Sequence, residues 1–131
     1  MLKKTITYVD YNDQERTENF YFNLSKAELM EMEMSTTGGW AAMMQGIIDA
    51  KDTPSLIKMF KELILKAYGE KSADGKRFNK SPELSLAFAQ TEAYSQLFME
   101  LALDAKAASE FVTGIIPAEL AAEAKKQGAI K

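Results

Sequence analysis

The chain has 131 residues, 47% of them hydrophobic, which is enough to bury a core in one domain of ordinary size. It contains no cysteine and no histidine, which excludes a disulfide framework, a thiolate nucleophile and the commonest metal ligand and general base. Its 16 basic and 19 acidic residues give a formal charge of −3 and are spread along the chain, unlike the clustered basic residues of nucleic-acid binders. We therefore expect no catalytic, metal or cofactor site, and no nucleic-acid partner.

The N-terminus has no apolar signal region, and no window of the sequence approaches 18 uninterrupted apolar residues. These two features predict a protein that stays in the cytoplasm and has no membrane partner.

Residues 5–24 show a period of two that predicts a β-hairpin. Apolar residues recur at every second position of its two arms: Ile6, Tyr8, Phe20, Phe22 and Leu24. The polar stretch 10–15 between the arms contains Asn12-Asp13, a pair that tolerates left-handed dihedrals. Because a lone hairpin is only marginally stable, we expect this one to pack on helices or to add to a neighbour's sheet.

Ser25 and Glu28 form a capping box that predicts a short helix reaching about Met34. Methionines alternate with glutamates along this helix, so apolar and acidic residues do not separate into a clean stripe. Two interpretations stay open. The methionines either fill irregular gaps in the core or form a compliant surface for apolar segments of another protein.

The pair Gly38-Gly39 predicts a hinge or loop. Apolar residues at helical spacing follow it: Trp40, Ala41, Met43, Met44, Ile47 and Ile48. Trp40 is either a core anchor or, beside the glycine pair, part of a movable binding lip. The candidate partner-binding surface comprises the methionines and the tryptophan on both sides of the hinge: Met30, Met32, Met34, Trp40, Met43 and Met44.

The sequence Asp52-Thr53-Pro54 predicts a longer helix that reaches Tyr68 and stops at Gly69. Its wide apolar face comprises Leu56, Ile57, Phe60, Leu63, Ile64 and Ala67.

A tight turn at Asp74-Gly75 predicts a mini-hairpin that ends near Phe78. Ser81 and Pro82 then mark the start of a helix that we expect to run unbroken to about Leu103 as the central core element. The mostly apolar residues of one face recur at steps of three and four: Leu84, Ala87, Phe88, Thr91, Tyr94, Phe98 and Leu101.

Asp104 caps a further predicted helix, and Pro117 begins an alanine-rich tail that ends before Gly128. The inward residues of the Asp104 helix are expected to be Ala108, Phe111, Val112 and Ile115. The sequence therefore predicts a helix-dominated α+β fold with an N-terminal β-hairpin followed by about five α-helices. We expect one compact domain over residues 1–131, with the hairpin in 1–24, a helical body in 25–127 and a frayed end in 128–131.

Two segments resemble a family of small proteins encoded in the tail gene modules of long-tailed bacteriophages: AYGEKSADGKRFNKS and QTEAYSQLFMELALDAKAASEFVTGIIP. Members of this family are described as tail assembly chaperones or as phage structural proteins. The resemblance is best from residue 56 to residue 117. Its most distinctive features are Tyr68-Gly69, Gly75-Lys76-Arg77-Phe78, Thr91-Glu92-Ala93-Tyr94 and Phe98-Met99-Glu100-Leu101.

The resemblance implies a non-enzymatic cytoplasmic protein that keeps the long tape measure protein soluble and helps bring subunits of the major tail protein to it. It assigns no functional residue. The alternative is a structural component of the virion, in which the edge of the hairpin pairs with a neighbouring subunit in a ring or tube. Whether the protein forms a homo-oligomer stays open.

Overall fold

Two long strands at the N-terminus form the antiparallel hairpin that the alternating pattern predicts. A computed structural model describes residues 1–40, 42–43, 46 and 50–116. Strand β1 (Leu2–Val9) pairs with β2 (Glu15–Phe22) over eight residue pairs. In the connecting turn Asp13 has a φ of 58°, as expected for one of the two residues that tolerate left-handed dihedrals. Asp10 stabilises this turn by accepting hydrogen bonds from the backbone N–H groups of Asn12 and Gln14 at 2.8 and 3.0 Å.

The two faces of the hairpin differ in polarity, as the period of two requires. Ile6, Tyr8 and Phe22 are buried on the face that packs against the helices. On the opposite face, the hydroxyls of Thr7 and Thr17 lie directly across the strand pair and hydrogen-bond at 2.9 Å. The hairpin is therefore stabilised by packing on helices, which was one of the two outcomes expected for it.

A short second hairpin extends the sheet to four antiparallel strands in the order β1-β2-β3-β4. Strand β3 (Tyr68–Lys71) pairs with β2 at only two positions, and β4 (Phe78–Asn79) pairs with β3. Gly75, with a φ of 73°, provides the left-handed turn between β3 and β4. The mini-hairpin is confirmed, and it interrupts the helical body expected over residues 25–127.

The prediction that a helix runs to Tyr68 and stops at Gly69 is wrong, because Tyr68 already belongs to β3. Gly69 has a different role from a helix stop. A Cβ atom at this position would lie 2.7 Å from the ring of Phe78 and 2.8 Å from the carbonyl oxygen of Asn79. Glycine is needed here because β3 and β4 approach each other too closely for a side chain.

Five helices have defined bounds within the described residues: α1 (Lys26–Ser35), α2 (Thr53–Ala67), α3 (Pro82–Ala89), α4 (Glu92–Leu103) and α5 (Ala105–Ile115). Each is preceded by a cap residue whose side chain accepts a hydrogen bond from a backbone N–H of the first turn: Ser25, Asp52, Ser81, Thr91 and Asp104. The predicted starts of α1, α2, α3 and α5 are confirmed, and α2 begins at Thr53 with Asp52 as its cap.

The prediction of one unbroken helix from Pro82 to Leu103 is wrong. The chain leaves the helix at Gln90, and Thr91 caps the start of α4. The Thr91 hydroxyl donates a hydrogen bond to the Phe88 carbonyl at 2.7 Å and accepts one from the Tyr94 N–H at 3.2 Å. A threonine can satisfy one helix end and begin the next in this way, which periodicity alone does not reveal.

An aromatic cluster joins the sheet to the C-terminal helices. Phe88 of α3 stacks on Tyr68 of β3 with ring centroids 4.3 Å apart, and Tyr94 of α4 meets the edge of this stack. The ring centroid of Phe22 in β2 lies 5.7 Å from that of Phe88 and 5.3 Å from that of Phe111 in α5. The core therefore lies between the apolar face of the sheet and the helices, and α4 packs across β1.

The inward faces of the helices agree with the predicted periodicity in α5 and differ in α2. In α5 the residues Ala108, Phe111 and Ile115 are buried, as predicted. In α2, Ile57 is exposed, and Met59 is buried instead. The predicted tail from Pro117 lies outside the described residues, and the assignment of the whole chain to one domain stays a prediction.

Candidate functional site

The three methionines of α1 divide between the core and the surface. Met32 is 9% exposed and belongs to the core, whereas Met30 and Met34 are 62% and 79% exposed. Positions four apart lie on the same side of a helix, so Met30 and Met34 form one outward apolar pair. Met32 therefore fills the core, and the interpretation as a surface for another protein stays a prediction for the exposed Met30 and Met34.

The helix that presents Met30 and Met34 is anchored at its first turn. Ser25 and Glu28 form the predicted capping box, with backbone-to-side-chain hydrogen bonds of 3.0 and 3.2 Å. Lys80 donates hydrogen bonds to Glu28 Oε2 at 2.7 Å and to the Asn23 carbonyl at 2.6 Å. These contacts tie α1 to both the sheet and the segment before α3.

The same contacts change the ionisation of Glu28. Partial burial opposes ionisation, but hydrogen bonds from Lys80 and from the Ser25 backbone, together with the Lys80 charge, outweigh it. The pKa of Glu28 is therefore lowered. Glu28 is thus held as a carboxylate that fixes the start of α1.

The glycine pair after α1 forms a turn that depends on left-handed dihedrals. Gly38 and Gly39 have φ values of 81° and 92°. The N–H of Gly39 donates to the Thr36 carbonyl at 2.8 Å, and a Cβ at Gly39 would collide with the carboxylate of Glu33. Only glycine adopts this geometry without strain, so the pair sets the direction in which the chain leaves α1.

Trp40 lies directly after this turn and is partly buried against the core. It lines a groove of about 180 Å³ between α1 and α2, together with Met32 and Met59 among others. Trp40 therefore packs as an anchor while one side of it borders an open groove. Met43, the next methionine after Trp40, is 40% exposed, and Met44 lies outside the described residues.

The structure thus brings Met32 and Trp40 together beside the groove and places Met30 and Met34 on the outer side of α1. Glu31 is also exposed on this helix, between the two outward methionines in sequence. A surface of flexible thioether side chains with an acid beside them can accommodate apolar side chains of varied shape. The described residues contain no group of three or more metal-ligating side chains, nor a helix long and apolar enough to cross a membrane.

A second exposed apolar pair, which the sequence analysis missed, lies on α4. Met99 and Leu103 are 50% and 78% exposed and are also four positions apart. They lie away from the buried residues Ala93, Leu97 and Leu101 of the same helix. This pair was not predicted because apolar residues of the helix were assigned to the core. One signal could have indicated it, since the step of two from Leu101 to Leu103 does not fit the helical spacing of a single buried face.

Comparison with known proteins supplies the identity of the chain. A family model described as phage tail assembly chaperone matches residues 1–130. No curated protein and no solved structure shows significant similarity to the chain. The match extends the resemblance noted over residues 56–117 to nearly the whole sequence, including the hairpin and α1. The chain therefore belongs to the phage tail assembly chaperone family.

Proposed function

We propose that the protein is a non-enzymatic chaperone that holds the tape measure protein soluble in the host cytoplasm and helps bring tail tube subunits to it. Membership of the family supports the general role. The observation that carries the specific proposal is the outward pair Met30 and Met34 on a helix whose start is fixed by Glu28 and Lys80. We place the binding of apolar client segments on this pair and on Met43.

The expected strength of one such contact follows from the area that it covers. Complete burial of one methionine side chain stabilises a complex by about 1.5–3 kcal/mol, so two methionines contribute about 3–6 kcal/mol at most. The loss of translational and rotational freedom on association is of similar size or larger. One copy therefore binds one segment weakly, and multivalent retention on a long client protein requires copies that are linked to one another, as in an oligomer.

The test is co-expression of the protein with the tape measure protein of the same phage, followed by measurement of the soluble yield of the latter. We expect the wild-type chain to raise this yield and to co-purify with the tape measure protein. The double variant Met30→Gln, Met34→Gln should lose most of the effect while folding normally, because both side chains are exposed and glutamine has a similar helix propensity.

The matched control is Met99→Gln, Leu103→Gln, which removes an exposed apolar pair of the same spacing from α4. This variant should retain the solubilising effect. If the wild-type protein gives no gain in solubility, the chaperone proposal is wrong. If only the α4 variant loses the effect, the role holds but the client surface is on α4.

The alternative, a structural component of the virion, is favoured by one feature of the sheet. Strand β1 is an edge of the sheet over eight residues and could pair with a strand of a neighbouring subunit. Mass spectrometry of purified virions separates the two roles. Abundant peptides of this chain in finished particles would support the structural role, and their absence would support the assembly role.

A further inference from the structure

The second strand of the sheet is only partly covered on the side away from β1. Its pairing with β3 consists of Tyr21↔Gly69 and Phe22↔Tyr68, whereas its pairing with β1 continues along the whole strand. Strand β3 then diverges and pairs with β4 instead. Within the part of the chain that the structure describes, residues 15–20 of β2 therefore have no strand partner on their outer side.

The alternation of antiparallel hydrogen bonds shows which backbone groups face outward. In such a ladder, alternate residues direct both N–H and C=O to the same neighbour. The backbone N–H of Asp10 donates a hydrogen bond to the carbonyl of Gln14 at 2.9 Å, so Asp10 and Gln14 are a hydrogen-bonded pair of the ladder. The even-numbered residues of β2 therefore hydrogen-bond to β1, and the N–H and C=O groups of the odd-numbered residues point away from β1. The hydrogen bond from the Asn23 N–H to the Ala67 carbonyl, at 2.8 Å, agrees with this assignment.

Among the residues that the structure describes, Tyr21 is the only one of the four odd-numbered residues of β2 with a strand partner on the side away from β1, and that partner is Gly69. The N–H and C=O groups of Glu15, Thr17 and Asn19 accordingly point away from β1 without a paired strand. They form the free edge of β2, which is defined by these three residues. Six aligned backbone groups of this kind are a template for one further strand.

A groove of about 380 Å³ begins where β2 and β3 separate, and it leads onto this free edge. Its lining includes two carboxylates, Glu18 and Glu70, and one ammonium group, that of Lys71. The register Phe22↔Tyr68 places Glu18 and Glu70 on the same face of the sheet, and Lys71 on the opposite face. The Lys71 ammonium lies 4.9 Å from the centre of the Tyr21 ring.

The carboxylates of Glu18 and Glu70 produce a negative potential on their face of the sheet, which acts on the nearby Tyr68. Burial raises the pKa of Tyr68, and the charges of both Glu70 and Glu18 raise it further. Tyr8 donates a hydrogen bond to Glu18, and Arg16 Nη1 lies 3.8 Å from the other oxygen of that carboxylate. Arg16 also forms an ion pair with Asp10, so its charge is shared between two acids.

We propose that the free edge of β2 and the groove beside it bind an extended peptide segment of a partner protein that carries basic side chains. The segment adds as a strand by hydrogen bonding to Glu15, Thr17 and Asn19, and a lysine or arginine of the segment meets Glu18 and Glu70. In this mode of recognition, main-chain hydrogen bonds provide affinity and alternate side chains provide specificity. The site is separate from the methionine pair of α1 and does not depend on it.

The test uses two synthetic octapeptides with blocked ends, one of alternating threonine and arginine and one of alternating threonine and glutamate. Binding to the full chain is followed by shifts of backbone amide resonances. We expect the arginine peptide to bind saturably and to shift the amides of residues 15–21 and 69–71. The glutamate peptide should not bind.

Two proline variants separate the outer edge of β2 from the outer edge of β1. Thr17→Pro removes an outward N–H from the free edge of β2. Its directly paired residue gives the control Thr7→Pro, which removes an outward N–H from β1 and loses the same hydroxyl contact. Loss of one hydrogen bond predicts about a fivefold weaker affinity for Thr17→Pro, and no change for Thr7→Pro.

The variant Glu18→Gln, Glu70→Gln keeps the backbone intact and decides the matter if Thr17→Pro does not fold. It should weaken binding of the arginine peptide and reduce the dependence of that binding on salt. The proposal is overturned by any of three results: no saturable binding by the wild-type chain, amide shifts that map outside the groove and free edge, or equal affinity in the wild-type and doubly substituted proteins.

Discussion

The contact between Glu28 and Lys80 offers a direct test of how α1 is anchored. Replacing Glu28 by glutamine removes its charge but keeps a side chain that can still complete the capping box. The two side chains are 28% and 21% exposed, which places the pair between an exposed salt bridge and a buried one. An exposed pair contributes about 0.2–1 kcal/mol and a hydrogen bond to a charged group about 1.5–3 kcal/mol. We therefore expect Glu28→Gln to lower the free energy of unfolding by about 1 kcal/mol at neutral pH.

The effect should depend on pH in a defined direction. The pKa of Glu28 is lowered in the folded protein from its usual value of 4.5, so its ionised form stabilises the fold above that value. This contribution is lost as the pH falls through the folded-state pKa. The difference between wild type and Glu28→Gln should consequently shrink towards zero in acid.

The assay is urea unfolding of wild type, Glu28→Gln and the control Glu31→Gln, at neutral pH and at an acidic pH below the folded-state pKa of Glu28. Glu31 is exposed on the same helix, so its substitution should change stability by less than about 0.5 kcal/mol. A double-mutant cycle with Lys80→Gln isolates the pair. If Glu28→Gln lowers the free energy of unfolding by the same amount at both pH values, the stabilising role assigned to the Glu28 charge is wrong.

Two further substitutions test the corrections to the predicted helices. Gly69→Ala should lower the free energy of unfolding by about 2 kcal/mol, because the new methyl group meets the backbone of Asn79, which cannot move aside cheaply. A loss below about 0.5 kcal/mol in denaturant unfolding would contradict the close approach. Thr91→Ala should lower the free energy of unfolding by about 1 kcal/mol, because the Tyr94 N–H loses the cap hydroxyl that accepts its hydrogen bond. Ser95→Ala, inside α4, should leave stability unchanged or raise it slightly. Equal effects of these two alanines would show that α3 and α4 are not separated by a cap.

Local signals in the sequence predicted the start of most elements because each has a short-range physical cause. The capping box at Ser25, the helix start at Asp52-Thr53-Pro54 and the turn at Gly75 all act within a few residues, and all three are confirmed. The alternation of Ile6 and Tyr8 likewise predicted a buried face, since only one side of the hairpin packs on helices.

Features that depend on residues far apart in sequence were not predictable in the same way. Tyr68 reads as the end of an amphipathic helix, and its place in β3 follows from pairing with Phe22, more than forty positions earlier. Likewise, Thr91 fits an apolar period of three and four while its hydroxyl actually separates two helices. The split of the α1 methionines depends on which side of the helix meets the core, and their alternation with glutamates left that side undetermined.

We propose that the outward methionines of α1 contact the tape measure protein. It is tested most directly by placing a photo-crosslinking amino acid at Met34 in one variant and at Met99 in another, each co-expressed with the tape measure protein. Both positions are exposed, so both variants should fold. We expect a crosslinked product with the tape measure protein from position 34 and little or none from position 99. Crosslinking from position 99 alone, or equal crosslinking from both, would contradict the claim.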